Sequence, residues 1–301
     1  MNAVETFGDV HAEVHRVHAA DGAELAITRV APIGVSPHAS PVVLVHGNYA
    51  RRNFWVSPKG LGLAPFLARR GFDAWVVELR GHGLSPKGER FSRITAEDHV
   101  RHDLPCVQQH VWRATNRPAM WIGHSAGGVY VLSALAAAWL DRSRVRGVAT
   151  FGSQLRDGER YLRSAAARGA IALALRTLGH LPAPRLGLGP EIEPAEEIIE
   201  IMRWKGGPGR WRARDGRSYA DGLASLDLPL VSFAGAGDTQ DPPGGCRALL
   251  DLAGGTDKTF VELGRAGGFT RDFGHVDMLV SKEAANEVWP LVASWLEARL
   301  T

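Results

Sequence analysis

The residues Gly123-His124-Ser125-Ala126-Gly127 have the G-x-S-x-G spacing that can turn a serine hydroxyl into a nucleophile. An apolar run, Met120-Trp121-Ile122, precedes them, and Gly128-Val129-Tyr130-Val131-Leu132 follows. The stretch reads as a strand, a sharp turn and a helix, with Ser125 at the tip. A serine there has a strained backbone, and a side chain two residues away on either side would collide with the neighbouring strand or helix. Glycine removes that clash. The hydroxyl is then held in the open at a helix N-terminus, where backbone N–H groups and the helix dipole favour negative charge. The same five residues also describe an incidental serine in a glycine-rich turn, so the rest of the chain decides.

A serine hydroxyl is a weak nucleophile. It needs a base, an acid that orients the base, and donors for the developing oxyanion. Later positions answer in the order serine, acid, histidine. Asp238 follows the apolar run Leu230-Val231-Ser232-Phe233-Ala234 and would be held at a sheet edge; Asp241 is its nearest rival. His275, in Phe273-Gly274-His275-Val276-Asp277, lies in a loop after the last apolar run. Asp277 sits beside that base rather than behind it. One oxyanion donor is expected to be the backbone N–H of Ala126. The other comes from the loop after Pro41-Val42-Val43-Leu44-Val45, from Asn48 or alternatively Tyr49, and Tyr49 is also expected to contact substrate. His46 and His82 start sheet-edge loops of the same kind and read as buried structural histidines.

These groups must be brought together by a sheet. Val14, Val17 and Leu25, Ile27, Val30 form two extended patterns around Asp21-Gly22, a hairpin-turn pair. Pro41–Val45 and Ala74–Leu79 are continuous apolar runs, as in strands buried on both faces. Between them Leu61 to Arg70 has a helical pattern closed by Gly71. Thr95 with Asp98 forms a capping-box-like helix start, and that helix must kink or divide at Pro105. Val145 to Phe151 is a further strand, Lys258 to Leu263 the last, and Asn286 to Leu300 a closing helix. Alternating strands and helices imply an α/β fold with a mostly parallel sheet and helices on both faces. Ligands of such sheets bind beyond the carboxyl ends of the strands. His46-Gly47-Asn48, Arg80-Gly81-His82-Gly83 and Ser125 all fall there.

The rhythm breaks between Gln154 and Leu226. Tyr161 to Leu178 and Pro194 to Trp204 have helical patterns, separated by Leu181-Pro182-Ala183-Pro184. We read residues 154–226 as a helical cap inserted into an α/β core made of residues 1–153 and 227–301. The run from Arg203 to Arg217, with Trp204 and Trp211 interleaved, is the most basic part of the chain. It could touch an anionic membrane surface or single-stranded nucleic acid. A solvated cap loop with tryptophans packed on the cap is the simpler expectation, and no nucleic-acid partner is expected.

Composition fits this picture. The chain has 301 residues, 45% hydrophobic and 22% charged, and a net charge of +3. That mild basic excess does not by itself imply nucleic acid. Two cysteines, Cys106 and Cys246, exclude a disulfide framework and suggest a reducing compartment. The start carries no secretory pattern and no run long enough to span a bilayer, so a cytoplasmic protein is the default. His11, His15 and His18 read as solvated histidines on a strand rather than a metal site.

Taken in order, His46-Gly47-Asn48, Arg80-Gly81-His82-Gly83, Gly123-His124-Ser125-Ala126-Gly127, Gly237-Asp238 and Gly274-His275 resemble the α/β-hydrolases. The likeness runs from about residue 20 to the C-terminus, outside the cap. Asn53-Phe54-Trp55-Val56, Asp103-Leu104-Pro105 and Gly123-His124-Ser125 more loosely resemble the acid-lipase branch of esterases and lipases, which usually carries glutamine where this chain has Ala126. The resemblance implies hydrolysis of a carboxylic ester through an acyl-enzyme, with no metal or organic cofactor and a small-molecule ester as the partner. It gives Ser125 the role of nucleophile, Asp238 of acid, His275 of base, and Asn48 and Ala126 of oxyanion amides. Thioesterase, acyltransferase or carbon–carbon hydrolase chemistry would use the same triad. A catalytically silent, ligand- or partner-binding relative would have the same fold.

Overall fold

The computed structural model describes residues 4–34, 36–37, 40–155, 164–206 and 208–300. Its elements in chain order are β1 (Val4–Phe7), β2 (Val10–His18), β3 (Glu24–Pro32), β4 (Pro41–Val45), α1 (Leu63–Arg69), β5 (Asp73–Glu78), α2 (Ala96–Asp98), α3 (Leu104–Thr115), β6 (Ala119–His124), α4 (Ala126–Ala136) and β7 (Val145–Phe151). Then come α5 (Ala165–Leu178), β8 (His180–Leu181), β9 (Glu193–Pro194), α6 (Ala195–Trp204) and α7 (Tyr219–Ala224). The chain closes with β10 (Leu230–Gly235), α8 (Pro243–Asp251), β11 (Lys258–Leu263), α9 (Asp277–Val280) and α10 (Lys282–Glu297).

One nine-stranded sheet organises them, in the order β1-β2-β3-β5-β4-β6-β7-β10-β11. The β2–β3 hairpin around Asp21-Gly22 is antiparallel, and β3 meets β5 antiparallel. From β5 to β11 every pairing is parallel. Side chains alternate between faces with period two. Val43, Val45, Trp75, Val77 and Trp121 therefore build one core, against α3, α4 and the segment after β7. Val42, Leu44, Val76, Met120 and Ile122 build the other, against α1 and α10. Both faces are covered, which is why β4 and the middle of β5, residues 74–77, are continuous apolar runs.

Local signals hold in detail. Thr95 caps α2, and its reciprocal bond with Asp98 completes a capping box. Pro105 does divide its helix: a π-helical turn, His99–Asp103, intervenes, and Pro105 falls in the first turn of α3, where a missing N–H costs nothing. The closing helix starts earlier than its apolar pattern, because Ser281 caps it at Lys282. Strand β1 and helices α8 and α9 were not foreseen.

Between β7 and β10 the described residues hold helices α5, α6 and α7 and a short antiparallel pair, β8–β9. The first residues of the helix expected from Tyr161 lie outside the described residues; it is helical from Ala165. The tryptophans of the basic run pack, as expected, within the segment between β7 and β10, where both rings meet Tyr219 at 5.5 Å. They also reach further than expected. Trp204 and Trp211 are fully buried in the α4 face of the core, and the Trp211 Nε1 donates to Ser133 Oγ at 2.9 Å. The arginines around them turn outward into ion pairs, Arg203 with Glu200 and Arg217 with Asp215. His15 also departs from its expected solvation, since its ring packs against Trp75 and His110.

Because Trp211 is a core residue, Trp211→Ala should lower the free energy of unfolding by about 3–5 kcal/mol. Urea denaturation checks this, and a loss below about 1 kcal/mol would place the ring outside the core.

Candidate active site

Strand β6 delivers Ser125 to the sheet edge, and the turn into α4 fixes it at φ 53°, ψ −125°. This left-handed backbone is strained for a serine. The packing explains why it is tolerated. A Cβ on Gly123 would lie 2.4 Å from the Gly128 Cα, and one on Gly127 2.4 Å from the His46 carbonyl oxygen. The two flanking glycines are therefore needed for the reason expected. Gly47 is a third: a Cβ there would lie 2.7 Å from the Ser125 Cβ.

The loop after β10 carries Asp238 and the loop after β11 carries His275. Their side chains meet, with the His275 Nδ1 donating to Asp238 Oδ2 at 2.7 Å. The other Asp238 oxygen accepts the backbone N–H groups of Gln240 and Asp241, both at 2.9 Å. Gly152 makes room for the pair: at φ +53°, a Cβ there would lie 3.0 Å from His275 Nδ1 and 3.1 Å from Asp238 Oδ2. Behind the ring, the His124 Nε2 donates to the His275 carbonyl at 2.8 Å. Burial, and then the neighbouring His275, push the His124 imidazole down to about 3, so it is neutral and can only brace the loop.

Asp241 is not the partner of His275 Nδ1. It lies on the opposite side of the imidazole. Its Oδ2 accepts the Ser125 hydroxyl at 3.3 Å and stands 3.9 Å from His275 Nε2. Its Oδ1 accepts Lys205 Nζ and Gln154 Nε2, both at 2.8 Å. Burial works against the Asp241 charge, but Lys205 and His275 outweigh it and hold the carboxyl below its usual range. Asp241, Gln154 and Lys205 thus belong to the site. Only Asp241 had a sequence signal, as the nearest acid to Asp238.

Asn48 and Tyr49 lie in the loop after β4. The Tyr49 backbone N–H donates to Glu193 Oε1, so it is spent and the alternative oxyanion donor is ruled out. Tyr49 instead lines the cavity at Ser125, as does Ala126. That cavity holds about 570 Å³. Leu175, Leu181, Ile198, Ile201 and Met202, all from the segment between β7 and β10, supply apolar walls, while Ser125, His275, Asp241 and Lys205 form a polar corner.

A second polar cluster lies under the Asn48 loop. His82 Nε2, Glu193 and Glu197 could between them offer a cation three ligand atoms, all within 4.8 Å of one another. These atoms are already engaged. His82 Nε2 bonds Glu193 Oε2 at 3.0 Å, and Glu197 Oε1 accepts Tyr130 Oη at 2.7 Å and Asn48 Nδ2 at 3.0 Å. Glu197 Oε2 is in ion contact with His99 Nε2 at 3.1 Å. His99 continues to Asp103 at 2.8 Å, and Asp103 to Arg80 at 2.6 Å. Burial alone would strip His82 and His99 of their protons. The carboxylates reverse this and carry His82 up to about 9 and His99 up to about 10. Burial likewise opposes the Glu197 charge, yet His99 and His82 pull its carboxyl down to about 2. His46 has no such partner. Burial, then the His82 charge, push it down to about 3, and its Nε2 accepts the Leu79 N–H at 3.2 Å. His46 and His82 are both structural, as read from the sequence, one neutral and one charged.

Residues 37–199, just over half of the chain, match the family described as "Serine aminopeptidase, S33". Among curated relatives, triacylglycerol lipase 1 of Arabidopsis thaliana is 33% identical over 131 residues, 40% of this chain and 33% of its own. The tear acid lipase-like protein of Mesocricetus auratus is 30% identical over 104 residues, 32% of this chain and 26% of its own. The matched stretches thus span about a third or less of those relatives. Among solved structures, a soluble variant of the monoglyceride lipase of Saccharomyces cerevisiae superposes with a TM-score of 0.71 at 15% identity, covering 99% of this chain and 98% of that one. The monoacylglycerol lipase of Paleococcus ferrophilus gives 0.63 at 16% identity, covering 91% and 99%. At such identities the structures speak for the fold.

The buried charges predict a pH limit. His82 and His99 hold their protons more tightly folded than unfolded, where 6.5 applies. Their stabilisation is therefore complete below that value and is lost as pH rises through about 9 to 10. Urea midpoints should fall across that window and fall less in His99→Asn. A midpoint flat to the end of the window would contradict the charged assignment.

Proposed function

Because the chain belongs to the S33 serine aminopeptidase family and has its α/β-hydrolase fold, we propose that it is a serine hydrolase that cleaves carboxylic esters with a hydrophobic acyl or alcohol part. The observation that carries this reading is the Asp238–His275 bond, whose imidazole shares one cavity with a strained, half-buried serine. In it Ser125 is the nucleophile, His275 the base and Asp238 the orienting acid. Residues 154–226 form the cap, residues 1–153 and 227–301 the catalytic core.

The steps follow from the geometry. With the carboxylate of Asp238 on Nδ1, the imidazole keeps its proton there and offers Nε2 as acceptor. The Ser125 hydroxyl turns from Asp241 to Nε2, and its oxygen bonds the ester carbonyl carbon as the proton passes to His275. The oxyanion accepts the backbone N–H groups of Ala126, the first residue of α4, and of Asn48. As the carbonyl re-forms, the C–O bond to the alcohol breaks and His275 returns the proton to it. Water, deprotonated by His275, then releases the acid and regenerates Ser125. The apolar cavity walls support a hydrophobic substrate part, with Tyr49 in contact with it. The Arg203–Arg217 run is read as the outer face of the cap rather than a nucleic-acid or membrane site, on the burial of its tryptophans. None of the described helices is long and apolar enough to cross a membrane. The two cysteines are thiols, which supports a cytoplasmic reading.

Ser125→Ala or His275→Ala should lower turnover of p-nitrophenyl esters by roughly four to six orders of magnitude with the fold intact. Retained activity in either variant would end the assignment. Asp238→Asn should cost about four orders, and Asp241→Asn far less. The reverse ranking would mean that Asp241 is the acid. A panel of rising acyl length, run beside an acyl thioester, should favour the longer oxygen esters. Preference for the thioester would replace esterase with thioesterase.

A further inference from the structure

We propose that Glu193 and Glu197, from the segment inserted between β7 and β10, are positioning residues for the oxyanion amide of Asn48. The proposal rests on the serine-hydrolase reading. It gives the inserted segment a part in the chemistry beyond covering the cavity.

Three observations converge on one loop. First, Tyr49 stands at φ 65°, a left-handed conformation that a tyrosine rarely adopts. Such strain persists only where the surroundings enforce it. Second, residues 189–193 enforce it from both sides of the peptide. Glu193 Oε1 takes the Tyr49 N–H, and the Glu191 N–H donates to the Tyr49 carbonyl at 3.2 Å. Gly189 lies against the same residue so tightly that a Cβ there would be 2.5 Å from the Tyr49 Cβ. Third, Glu197, in the first turn of α6, holds the preceding residue by its side chain, Asn48 Nδ2 to Oε1 at 3.0 Å. The loop is thus gripped at two successive residues by carboxylates of two consecutive elements, β9 and α6.

The grip selects a donor. With its N–H spent on Glu193, Tyr49 has nothing to offer the oxyanion, which leaves that task to the Asn48 N–H. Small errors in such a donor's placement are felt in turnover, since it acts on charge that develops only in the transition state. The carboxylates are in turn fixed by His82 and by Tyr130 and His99 from the core. The inserted segment is therefore tied to the nucleophile's surroundings through fully buried, mutually bonded groups, and the Asn48 loop takes its catalytic shape only with that segment docked.

The test separates loss of acceptor from loss of fold. Glu193→Met keeps the approximate size and removes the acceptor; Glu193→Gln keeps an acceptor; Asn48→Ala removes only the hold of Glu197 and leaves the backbone amide. With a p-nitrophenyl ester, Glu193→Met should lower kcat about 10- to 100-fold with KM within about twofold, the signature of an interaction made in the transition state. It should weaken a trifluoromethyl ketone, which mimics the tetrahedral adduct, by a similar factor. Glu193→Gln should recover most of both losses. Asn48→Ala should lose less than Glu193→Met, in kcat and not in KM. Should Glu193→Met fail to fold, the Asn48→Ala and Glu193→Gln results stand alone: unchanged kcat in the first, or a loss of kcat and inhibitor affinity of about 10-fold or more in the second, overturns the proposal. So does a folded Glu193→Met whose KM rises while kcat holds. If wild type hydrolyses esters through Ser125 and these variants keep kcat, the positioning role alone falls. If wild type hydrolyses none, the serine-hydrolase reading falls first.

Discussion

The site depends on a backbone that one residue would not choose. Ser125 sits at φ 53° because β6 ends and α4 begins with no room for a relaxed turn. The surrounding main chains close to distances that only glycine allows, at Gly47, Gly123 and Gly127. That crowding keeps the side chain on the open side of the sheet edge, against the start of a helix. The strain is a local cost, and it is carried by a sheet whose two cores are both sealed with large apolar side chains. Rigidity of the sheet is thus what permits a strained conformation at its edge.

Around that point the chain arranges charge in two separate ways. Beside His275, one carboxylate of the loop after β10 bonds the imidazole and the other faces the hydroxyl. They differ in partners: Asp238 is held by backbone N–H groups and His275, Asp241 by Lys205 and Gln154. Under the Asn48 loop, charge is locked away. Two carboxylates and two imidazoles compensate one another out of water, and the chain of contacts runs on through Asp103 and Arg80 to Asp21 in the β2–β3 turn. A buried set of this kind is costly to break, since removing one member strands another. It defines geometry more than it adds net stability.

The parts legible in the sequence were those with a local cause. Parallel strands buried on both faces write continuous apolar runs, so β4, β5, β6 and β10 could be read directly. The elbow glycines, the capping box at Thr95 and the placement of Asp238 and His275 after strands each follow from a few neighbouring residues. What could not be read depends on distant contacts. Nothing near Glu193 or Glu197 signals that they meet His82, His99 and Asn48, which lie about a hundred residues or more away in the chain. Trp211 looks like part of a solvated basic loop until α4 is seen beneath it. The short elements β1, α8 and α9 have too few residues for a pattern to stand out, and α8 opens with Pro243-Gly244-Gly245, which reads as loop.

The central claim is that the hydroxyl of Ser125 becomes covalently bonded during turnover. Treating the purified protein with a fluorophosphonate and mapping the modified peptide by mass spectrometry tests this most directly. The account predicts one adduct, on Ser125, that disappears when His275 is replaced by alanine. A folded protein that stays unmodified, or one modified only elsewhere, would contradict it.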